Sequence, residues 1–355
     1  MVMIDARLMI GALGCLVIAP AFRSIAPPTD PHIRYIGRFD YQNPDGPRCA
    51  WSARAVEIAF RGTSAKVKLR ESGQDQLQVV VDGEAKQVLK LEKGEATYDL
   101  DSDLPLGNHT IKLVKRTEAG IGTIQFLGFD VDGPLSEPRK PRHIIELIGD
   151  SISCGYGIEG KSKEEHFKID TENANMTYGA VVARDLGADF IDVAWSGRKM
   201  WPDNTIPELY NLALPDDKTS VWDLHQEVPD VIVINLATND FGLVSPDEKG
   251  WTEAYSAFIQ RLRERAPKAR IYLAIGPMIT DTWPPKVKAL TSARHYLTDV
   301  VGLRAAVGDD NLRIIEFETQ TEERDGSGAD WHPNIISHNR MARVLEDAIR
   351  SEVKW

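Results

Sequence analysis

Four short stretches of the sequence carry groups that could together perform acyl transfer. They contain Ser151, Gly197, Asn239 and His332, and each lies beside a run of apolar residues. A hydroxyl can act as nucleophile and an imidazole can take its proton. Backbone amides and a carboxamide can stabilise the oxyanion that develops during the reaction. The sequence therefore contains a nucleophile, a general base and an oxyanion hole.

The candidate nucleophile lies in the stretch His143–Gly157. The apolar run Ile144–Ile148 ends at Gly149 and is followed at once by Asp150 and Ser151. This pattern predicts a buried strand, and open parallel sheets bind ligands just past the carboxyl ends of their strands. Gly-Asp-Ser is also a common helix cap and turn, so the chemistry depends on partners elsewhere in the chain.

Apolar runs and helix-like stretches alternate through residues 142–355. The predicted strands are Ile144–Ile148, Asp189–Ala194, Val231–Leu236, Arg270–Ile275 and Arg313–Phe317. The predicted helices are Tyr178–Leu186, Trp251–Arg265, Val287–Val307 and Ile335–Val353. This alternation predicts an α/β fold with a parallel sheet covered by helices on both faces. All four stretches then fall at the carboxyl edge of the sheet or in a loop beside it.

The preceding residues, 32–132, read as an all-β domain. The predicted strands are Ile33–Tyr41, Arg54–Phe60, Ala65–Arg70, Leu77–Val81, Lys86–Leu91, Ala96–Leu100, Asn108–Val114 and Thr123–Val131. Many short strands separated by turns favour an antiparallel sandwich or jelly roll. The proline-rich residues 133–141 are predicted to be a linker between the two domains.

The order of the four stretches resembles the four sequence blocks of the SGNH (GDSL-like) hydrolases. With the β domain in front, the chain resembles carbohydrate esterase family 2 more specifically, through the motifs Gly149–Gly157, Thr177–Ala180 and Asp330–Pro333. The resemblance implies a flavodoxin-like SGNH domain over 142–355 and a jelly-roll domain before it. It also implies an esterase that removes acetyl groups from plant polysaccharides such as xylan and glucomannan.

The resemblance also implies residue roles. Ser151 would be the nucleophile and His332 the general base. The amides of Ser151 and Gly197 and the side chain of Asn239 would form the oxyanion hole. For orienting the imidazole, we favour the Asp330 carboxylate over the backbone carbonyl of the following residue, Trp331.

The chain departs from the usual blocks at two positions. Ala237 stands where the third block usually has glycine, and Ala329 stands where most SGNH enzymes have the aspartate that precedes the histidine by three. Asp240 is interpreted as a structural acid that holds a loop. The departures keep open a carbohydrate-binding protein without activity, and an SGNH esterase or lipase for another acyl ester is a further alternative.

Three aromatic residues next to the proposed catalytic segments are candidates for substrate binding: Trp331, Trp201 and Tyr156. Each could equally pack the domain. His338 is a weak rival of His332 as the base. The glycines of residues 155–160 match a dinucleotide-binding pattern but lack its strand and helix context, so we expect them to bend the loop away from an open cleft.

Composition excludes several other classes of function. The formal net charge is −11 and no basic run is present, which argues against nucleic-acid binding. No Cys/His cluster with metal-ligand spacing is present, and neither a metal nor a cofactor is expected. Cys49 and Cys154 could pair, but two buried free thiols are expected instead. Acetylated carbohydrate is the expected partner, and the oligomeric state stays open.

Residues 1–21 resemble a secretory signal peptide. Arg7 precedes an apolar run, Leu8–Ala19, and Ala19-Pro20-Ala21 fits a cleavage site. The run is short for a membrane span. A secreted or periplasmic protein without a membrane anchor is therefore expected, with a disordered or hydrophobic tail as the alternative for this segment.

Overall fold

The computed structural model describes residues 23–355, so the predicted signal peptide lies outside the described residues. The first part of the chain is built of strands. They are β1 (Ser24–Ala26), β2 (Arg34–Ile36), β3 (Arg48–Cys49), β4 (Ala55–Gly62), β5 (Ala65–Glu71), β6 (Gln76–Val81), β7 (Glu84–Lys90), β8 (Gly94–Asp101), β9 (Gly107–Lys115), β10 (Ile124–Val131) and β11 (Leu135–Ser136).

These strands form two antiparallel sheets. One has the order β1-β10-β5-β8 with β3 beside β10, and the other has the order β11-β4-β9-β6-β7 with β2 beside β4. Alternate residues of the facing strands, such as Val67 in the first sheet and Leu113 in the second, are fully buried in one shared core. The predicted β-sandwich is confirmed.

The sandwich extends further along the chain than the sequence predicts. Ser24–Ala26 pair with β10, so the domain begins before residue 32. Leu135–Ser136 pair with Phe60 and Ala59 of β4. The interpretation of 133–141 as a linker is therefore wrong at this pair, because its backbone extends an existing sheet.

The second part of the chain is α/β. Its strands are β12 (Ile144–Gly149), β13 (Asp189–Ala194), β14 (Val231–Asn235), β15 (Arg270–Ile275) and β16 (Leu312–Glu316). Its helices are α1 (Ser151–Cys154), α2 (Tyr178–Asp185), α3 (Ile206–Leu209), α4 (Glu248–Arg265), α5 (Ala289–Ala305), α6 (Glu322–Asp325) and α7 (Ile335–Glu352), with three short 3-10 helices at Ile169–Thr171, Ala174–Met176 and Ala329–Trp331. All five predicted strands and four predicted helices are present, with ends that differ by a few residues.

The five strands are parallel in the order β13-β12-β14-β15-β16. Helices α2 and α7 cover one face of the sheet, and α4 and α5 cover the other. Every residue of β14 is buried, which explains why its first four residues are all apolar. The predicted parallel sheet with helices on both faces is confirmed.

The connections reverse direction at β12, which lies between β13 and β14. Ligands of open α/β sheets bind at such a point, outside the carboxyl ends of the strands. The loop that carries Ser151 follows β12 directly and therefore occupies the switch point. Within residues 23–355, no helix combines the length and apolarity needed to cross a bilayer.

Candidate active site

The proposed nucleophile opens the short helix α1. Asp150 is its N-cap, and the Asp150 side chain accepts a hydrogen bond from the Ile152 amide at 3.0 Å. A side chain at Gly149 would lie 2.0 Å from Ser153 Oγ, so only glycine allows the strand to turn this sharply into the helix. Ser151 is buried at the first helical position, where the backbone amide has no acceptor within the helix.

His332 faces this serine. Its Nε2 lies 2.9 Å from Ser151 Oγ, and its Nδ1 lies 3.0 Å from the backbone oxygen of Asp330. Because a carbonyl oxygen only accepts, Nδ1 carries the proton and Nε2 presents its lone pair to the serine hydroxyl. Burial lowers the pKa of His332 below its ordinary value, which favours the neutral imidazole that a base requires.

The group that orients His332 differs from both sequence-based alternatives. It is the backbone carbonyl of Asp330, whereas the Asp330 carboxylate and the Trp331 carbonyl do not contact the imidazole. Asp330 and Trp331 have φ values of 49° and 62°, so two successive left-handed residues turn the Asp330 carbonyl toward the ring. The assignment of the Asp330 carboxylate as the orienting acid is therefore wrong.

The Asp330 carboxylate instead organises the loop beside the histidine. It accepts hydrogen bonds from the Phe167 amide and from the Tyr156 hydroxyl, both at 2.9 Å, and lies 3.0 Å from His166 Nδ1. These hydrogen bonds, first among them the one with His166, lower its pKa. The Asp330 carboxylate therefore holds the loop in place and is not itself part of the Ser151–His332 pair.

Gly197 lies in a tight turn after β13. The Arg198 amide donates to the Trp195 carbonyl at 3.3 Å, and Gly197 has φ of 75° at the third position, as a type II turn requires. A side chain built at Gly197 would meet nothing within 4 Å, so the turn borders open space. Within residues 23–355 the Gly197 amide donates no hydrogen bond.

Asn239 lies in the loop after β14 and joins the other two stretches. Its side-chain nitrogen donates to the Arg198 carbonyl at 2.9 Å and reaches Asp150 Oδ2 at 3.4 Å. The second contact is long for a hydrogen bond, so it leaves one amide hydrogen weakly held. Burial raises the pKa of Asp150 to about 7.

The glycines of residues 155–160 lie where the segments that carry Ser151 and His332 meet. A side chain at Gly157 would lie 2.8 Å from Ala329 Cβ, and one at Gly160 would lie 2.3 Å from the Ala329 nitrogen. The Ala329 amide donates to the Gly157 carbonyl at 3.0 Å. Gly157 and Gly160 thus allow close packing against the loop of His332, and the positive φ of Gly155 and Gly157 turns the chain after α1.

Two other residues take structural positions. Asp240 accepts hydrogen bonds from the Met200 and Trp201 amides and from the Trp251 indole, which agrees with its interpretation as a loop-holding acid. His338 is buried in α7 and accepts a hydrogen bond from the Tyr178 amide at 3.1 Å. His338 does not contact Ser151, which leaves His332 as the imidazole beside the serine.

The three candidate aromatic residues lie in different settings. Trp331 is 58% exposed beside His332, as a residue that stacks on a ligand would be. The Tyr156 ring lies 4.3 Å from the His332 ring and hydrogen-bonds Asp330, so it supports the base. Trp201 is half-buried and packs against Gly250 at the start of α4.

Sequence reasoning missed the segment around Phe167, which supports His332 through Tyr156 and Asp330. Phe167 stacks on Tyr156 with ring centroids 4.3 Å apart, and its amide anchors Asp330. Residues 161–168 lack a periodic pattern, so no sequence signal links them to the site.

Within residues 23–355, two groups of side chains place three possible metal ligands within 4.8 Å of one another. One is buried behind α1 and the other is on the surface: Glu118, Cys154 and Glu172, and Glu248, His295 and Asp299. The three residues of the first group come from distant parts of the chain, and in the second group Glu248 joins His295 and Asp299 of one helix. Cys49 and Cys154 are free and buried, as expected.

Comparison with family models matches both domains. Residues 35–138 match the family described as "Carbohydrate esterase 2 N-terminal", and residues 147–338 match the GDSL-like Lipase/Acylhydrolase family. Both matches agree with the division into a β domain and an α/β domain.

Comparison with known proteins extends over almost the whole chain. Over 334 residues, 92% of this chain, it is 39% identical to the cellulase/esterase CelE of Acetivibrio thermocellus, and it spans 40% of the length of that protein. It is 26% identical to an acetylxylan esterase / glucomannan deacetylase of Cellvibrio japonicus, covering 92% of this chain and 90% of the relative.

A solved structure has the same two-domain arrangement. A family two carbohydrate esterase from Clostridium thermocellum, determined in complex with cellohexaose, superposes with a TM-score of 0.85. It is 39% identical, and the match covers 90% of this chain and 99% of that structure.

Proposed function

This chain belongs to carbohydrate esterase family 2, and we propose that it removes O-acetyl groups from a plant-type polysaccharide or oligosaccharide such as xylan or glucomannan. The observation that carries the proposal is the 2.9 Å contact between Ser151 Oγ and His332 Nε2 at the switch point of the sheet. The family membership supports the substrate class, and the Ser151–His332 contact supports the chemistry of ester hydrolysis.

The first half of the proposed reaction transfers the acetyl group to the enzyme. His332 Nε2 takes the proton of Ser151 as Oγ attacks the acetyl carbonyl carbon. The tetrahedral intermediate then breaks its bond to the sugar oxygen, which leaves with the proton from His332. Because the Asp330 carbonyl holds the other ring nitrogen, the imidazole stays in the tautomer that this transfer needs.

The second half releases acetate. Water attacks the acetyl-enzyme while His332 takes one of its protons, and the proton then returns to Ser151 Oγ as the ester bond breaks. In both halves, the amides of Ser151 and Gly197 are the proposed donors to the oxyanion, with the weakly held hydrogen of Asn239 as the third. Removing one such donor typically lowers turnover by ~10²–10³-fold.

Aromatic residues would hold the sugar chain. Trp331 is exposed next to the base, and an indole face stacks well on the apolar face of a sugar ring. We propose Trp331 as the main stacking residue, with Trp201 and Tyr156 bordering the cleft. The packing of Trp201 against Gly250 assigns it the smaller contribution of the two tryptophans.

A polymeric substrate also bears on where the protein acts. A polysaccharide does not cross a cell membrane intact, so we propose a secreted or periplasmic enzyme with residues 1–21 as its signal peptide. The N-terminal sequence of the mature protein tests this: a mature chain that still begins at Met1 contradicts it.

The decisive experiment measures acetate release from acetylated xylan, acetylated glucomannan and 4-nitrophenyl acetate by wild type and Ser151→Ala. We expect release from at least one polysaccharide that is lost in the variant. His332→Ala should lose as much, and the double variant should lose no more, because the two groups act as a unit. Serine-independent release contradicts the mechanism, and serine-dependent release from the small ester alone contradicts the substrate.

A further inference from the structure

A residue of the β domain reaches the turn that carries Gly197. Glu118 follows β9, and its Oε2 accepts a hydrogen bond from the Ser196 amide at 2.7 Å. The chain beside it packs on the same turn, since a side chain at Gly120 would lie 3.0 Å from Trp195 Nε1. The nucleophile, the base and the Gly197 turn all belong to the α/β domain, so this contact brings a residue of the other domain to the site.

The direction of the Gly197 amide depends on the form of this turn. In a type II turn, the peptide between the second and third residues is rotated by about half a turn relative to type I. Here that peptide joins Ser196 and Gly197, so the two forms point the Gly197 N–H in opposite directions. The observed φ of 75° at Gly197 belongs to the type II form.

The groups on either side of the Ser196–Gly197 peptide, the Ser196 amide and the Gly197 carbonyl, are each held by a side chain. Glu118 takes the Ser196 amide on one side, and Asn204 Nδ2 donates to the Gly197 carbonyl at 3.1 Å on the other. The Gly197 amide itself has no acceptor among residues 23–355. The hydrogen bonds made by Glu118 and Asn204 therefore fix the turn and leave the Gly197 N–H available to bind the substrate.

The Glu118 side chain lies in a buried, polar part of the interior. It is buried, and it also accepts a weak hydrogen bond from Cys154 Sγ at 3.5 Å, on the helix that begins with Ser151. Glu172 beside it is fully buried, with neither oxygen hydrogen-bonded, and burial raises the pKa of Glu172 well above its ordinary range. Glu118 is the acceptor of the Ser196 amide among residues 23–355, so its loss would leave this amide without that partner.

We propose that Glu118 is a positioning residue of the oxyanion hole, through which the β domain holds the Gly197 amide in its productive direction. The proposal rests on the esterase function proposed above. It assigns the β domain a part in turnover, because the carboxyl group bridges the Gly197 turn and the nucleophile helix.

The test compares Glu118→Ala, Glu118→Asp and Glu118→Gln with wild type. Alanine has no acceptor, and aspartate is one methylene shorter and falls short of the Ser196 amide. Both should lower kcat for 4-nitrophenyl acetate by ~10–100-fold with KM nearly unchanged, somewhat less than deletion of an oxyanion donor. Glutamine keeps an acceptor oxygen at the same reach and should retain kcat within about threefold, because the Ser196 amide keeps its hydrogen-bond partner.

A second readout separates positioning from general damage. A boronic acid that adds to Ser151 Oγ places an oxygen in the oxyanion hole, so its inhibition constant should rise by the same factor as kcat/KM falls. Asp189→Ala is the matched control, because Asp189 is a buried carboxylate that pairs with Arg34 across the domain interface at the opposite end of β13. It should leave kcat and boronate inhibition unchanged, whatever it does to thermal stability.

Three outcomes overturn the proposal. Glu118→Ala and Glu118→Asp could keep both kcat and boronate inhibition within twofold of wild type. Glu118→Gln could lose as much as alanine, so that charge rather than the acceptor matters. Asp189→Ala could lose as much kcat as the Glu118 variants. Inactivity of Ser151→Ala in the same assay shows that the esterase function stands even when the Glu118 series contradicts this inference.

Discussion

The imidazole of His332 is oriented by a main-chain carbonyl, and this changes what each neighbouring side chain contributes. The Asp330 carbonyl fixes the tautomer as an aspartate would, but it carries no full charge with which to stabilise the imidazolium. The Asp330 carboxylate holds Phe167 and Tyr156 instead. Its charge is therefore expected to matter less to turnover than its ability to accept hydrogen bonds.

Asp330→Asn should consequently be mild. Asparagine tolerates the left-handed backbone at this position and keeps an oxygen for the Phe167 amide. We expect kcat for 4-nitrophenyl acetate to fall by less than ~10-fold, whereas the same change in a Ser–His–Asp triad costs ~10⁴-fold. Asp330→Ala, which loses both the acceptor and the left-handed preference, should cost more. A thousandfold loss of kcat in Asp330→Asn would instead indicate that the carboxylate orients the imidazole.

The pH dependence of kcat/KM should report the buried imidazole. Burial disfavours the charged form and lowers the pKa of His332, so the ring loses its proton at a lower pH than an exposed histidine. Activity requires the neutral ring, and the acid limb of the profile should therefore fall below the ordinary histidine value of ~6.5. A profile of kcat/KM for an ester without ionisable groups measures this, and an acid limb at or above that value contradicts it.

At the scale of elements, the two catalytic loops meet at a contact that only small residues allow. Gly157 and Gly160 lie against Ala329, and the backbone hydrogen bond from Ala329 to Gly157 ties the loops together. This packing accounts for Ala329 at a position where related hydrolases have aspartate. Direct contact between the main chains of the two loops therefore sets the distance between Ser151 and His332.

Gly157→Ala should disturb this contact, and Gly187→Ala provides a matched control. The two glycines have φ of 60° and 63°, but an added Cβ would lie 2.8 Å from Ala329 Cβ at the first and meet nothing within 4 Å at the second. Both variants should lose ~1–2 kcal/mol of stability through backbone strain. Only Gly157→Ala should also lower kcat, by ~10-fold or more, because the loops must separate. Denaturant unfolding measures the stability of both variants. Equal kcat values in the two variants would contradict a catalytic effect of the contact.

The sequence predicts the elements and the blocks better than their mutual geometry. Strand β14 can be predicted from the sequence because both of its faces are buried. Ser151 can be predicted as a site residue because it follows a strand, a glycine and an N-cap residue. The Asp330 carbonyl that orients His332 cannot be predicted from the sequence, since its direction depends on two consecutive left-handed residues of which neither is glycine. Glu118 is equally hidden, because no motif surrounds it and its partner Ser196 lies far along the chain.

At the scale of the whole molecule, the two domains share buried structure. Trp51 lies in the chain between β3 and β4, yet its ring is fully buried in the core of the α/β domain, and its Nε1 donates to the Leu212 carbonyl at 3.0 Å. Arg38, also from the first part of the chain, is fully buried and pairs with Glu146 of β12 at 3.0 Å. Apolar and ionic groups therefore cross the same interface, and we expect the domains to unfold together.

Glu146 is the residue through which this coupling can be tested. It is fully buried, accepts hydrogen bonds from Arg38, Arg265 and Tyr210, and thereby joins the β domain, the sheet and α4. Burial acts to raise the pKa of Glu146, but the two arginines outweigh it and lower the pKa to about 2. Glu146→Gln removes the charge that both arginines share and should cost ~3–5 kcal/mol of unfolding free energy.

Denaturant unfolding should show whether this loss is felt by both domains. Helical ellipticity reports the α/β domain, because every helix described in residues 23–355 follows residue 150, and hydrogen exchange of β5 and β9 reports the sandwich. Both probes should shift together, because the lost charge leaves buried cations on each side of the interface. Glu346→Gln, at an exposed pair with Arg350, is the control and should change stability by less than ~1 kcal/mol. A sandwich that keeps its wild-type exchange rates while the helices destabilise would show two independent domains.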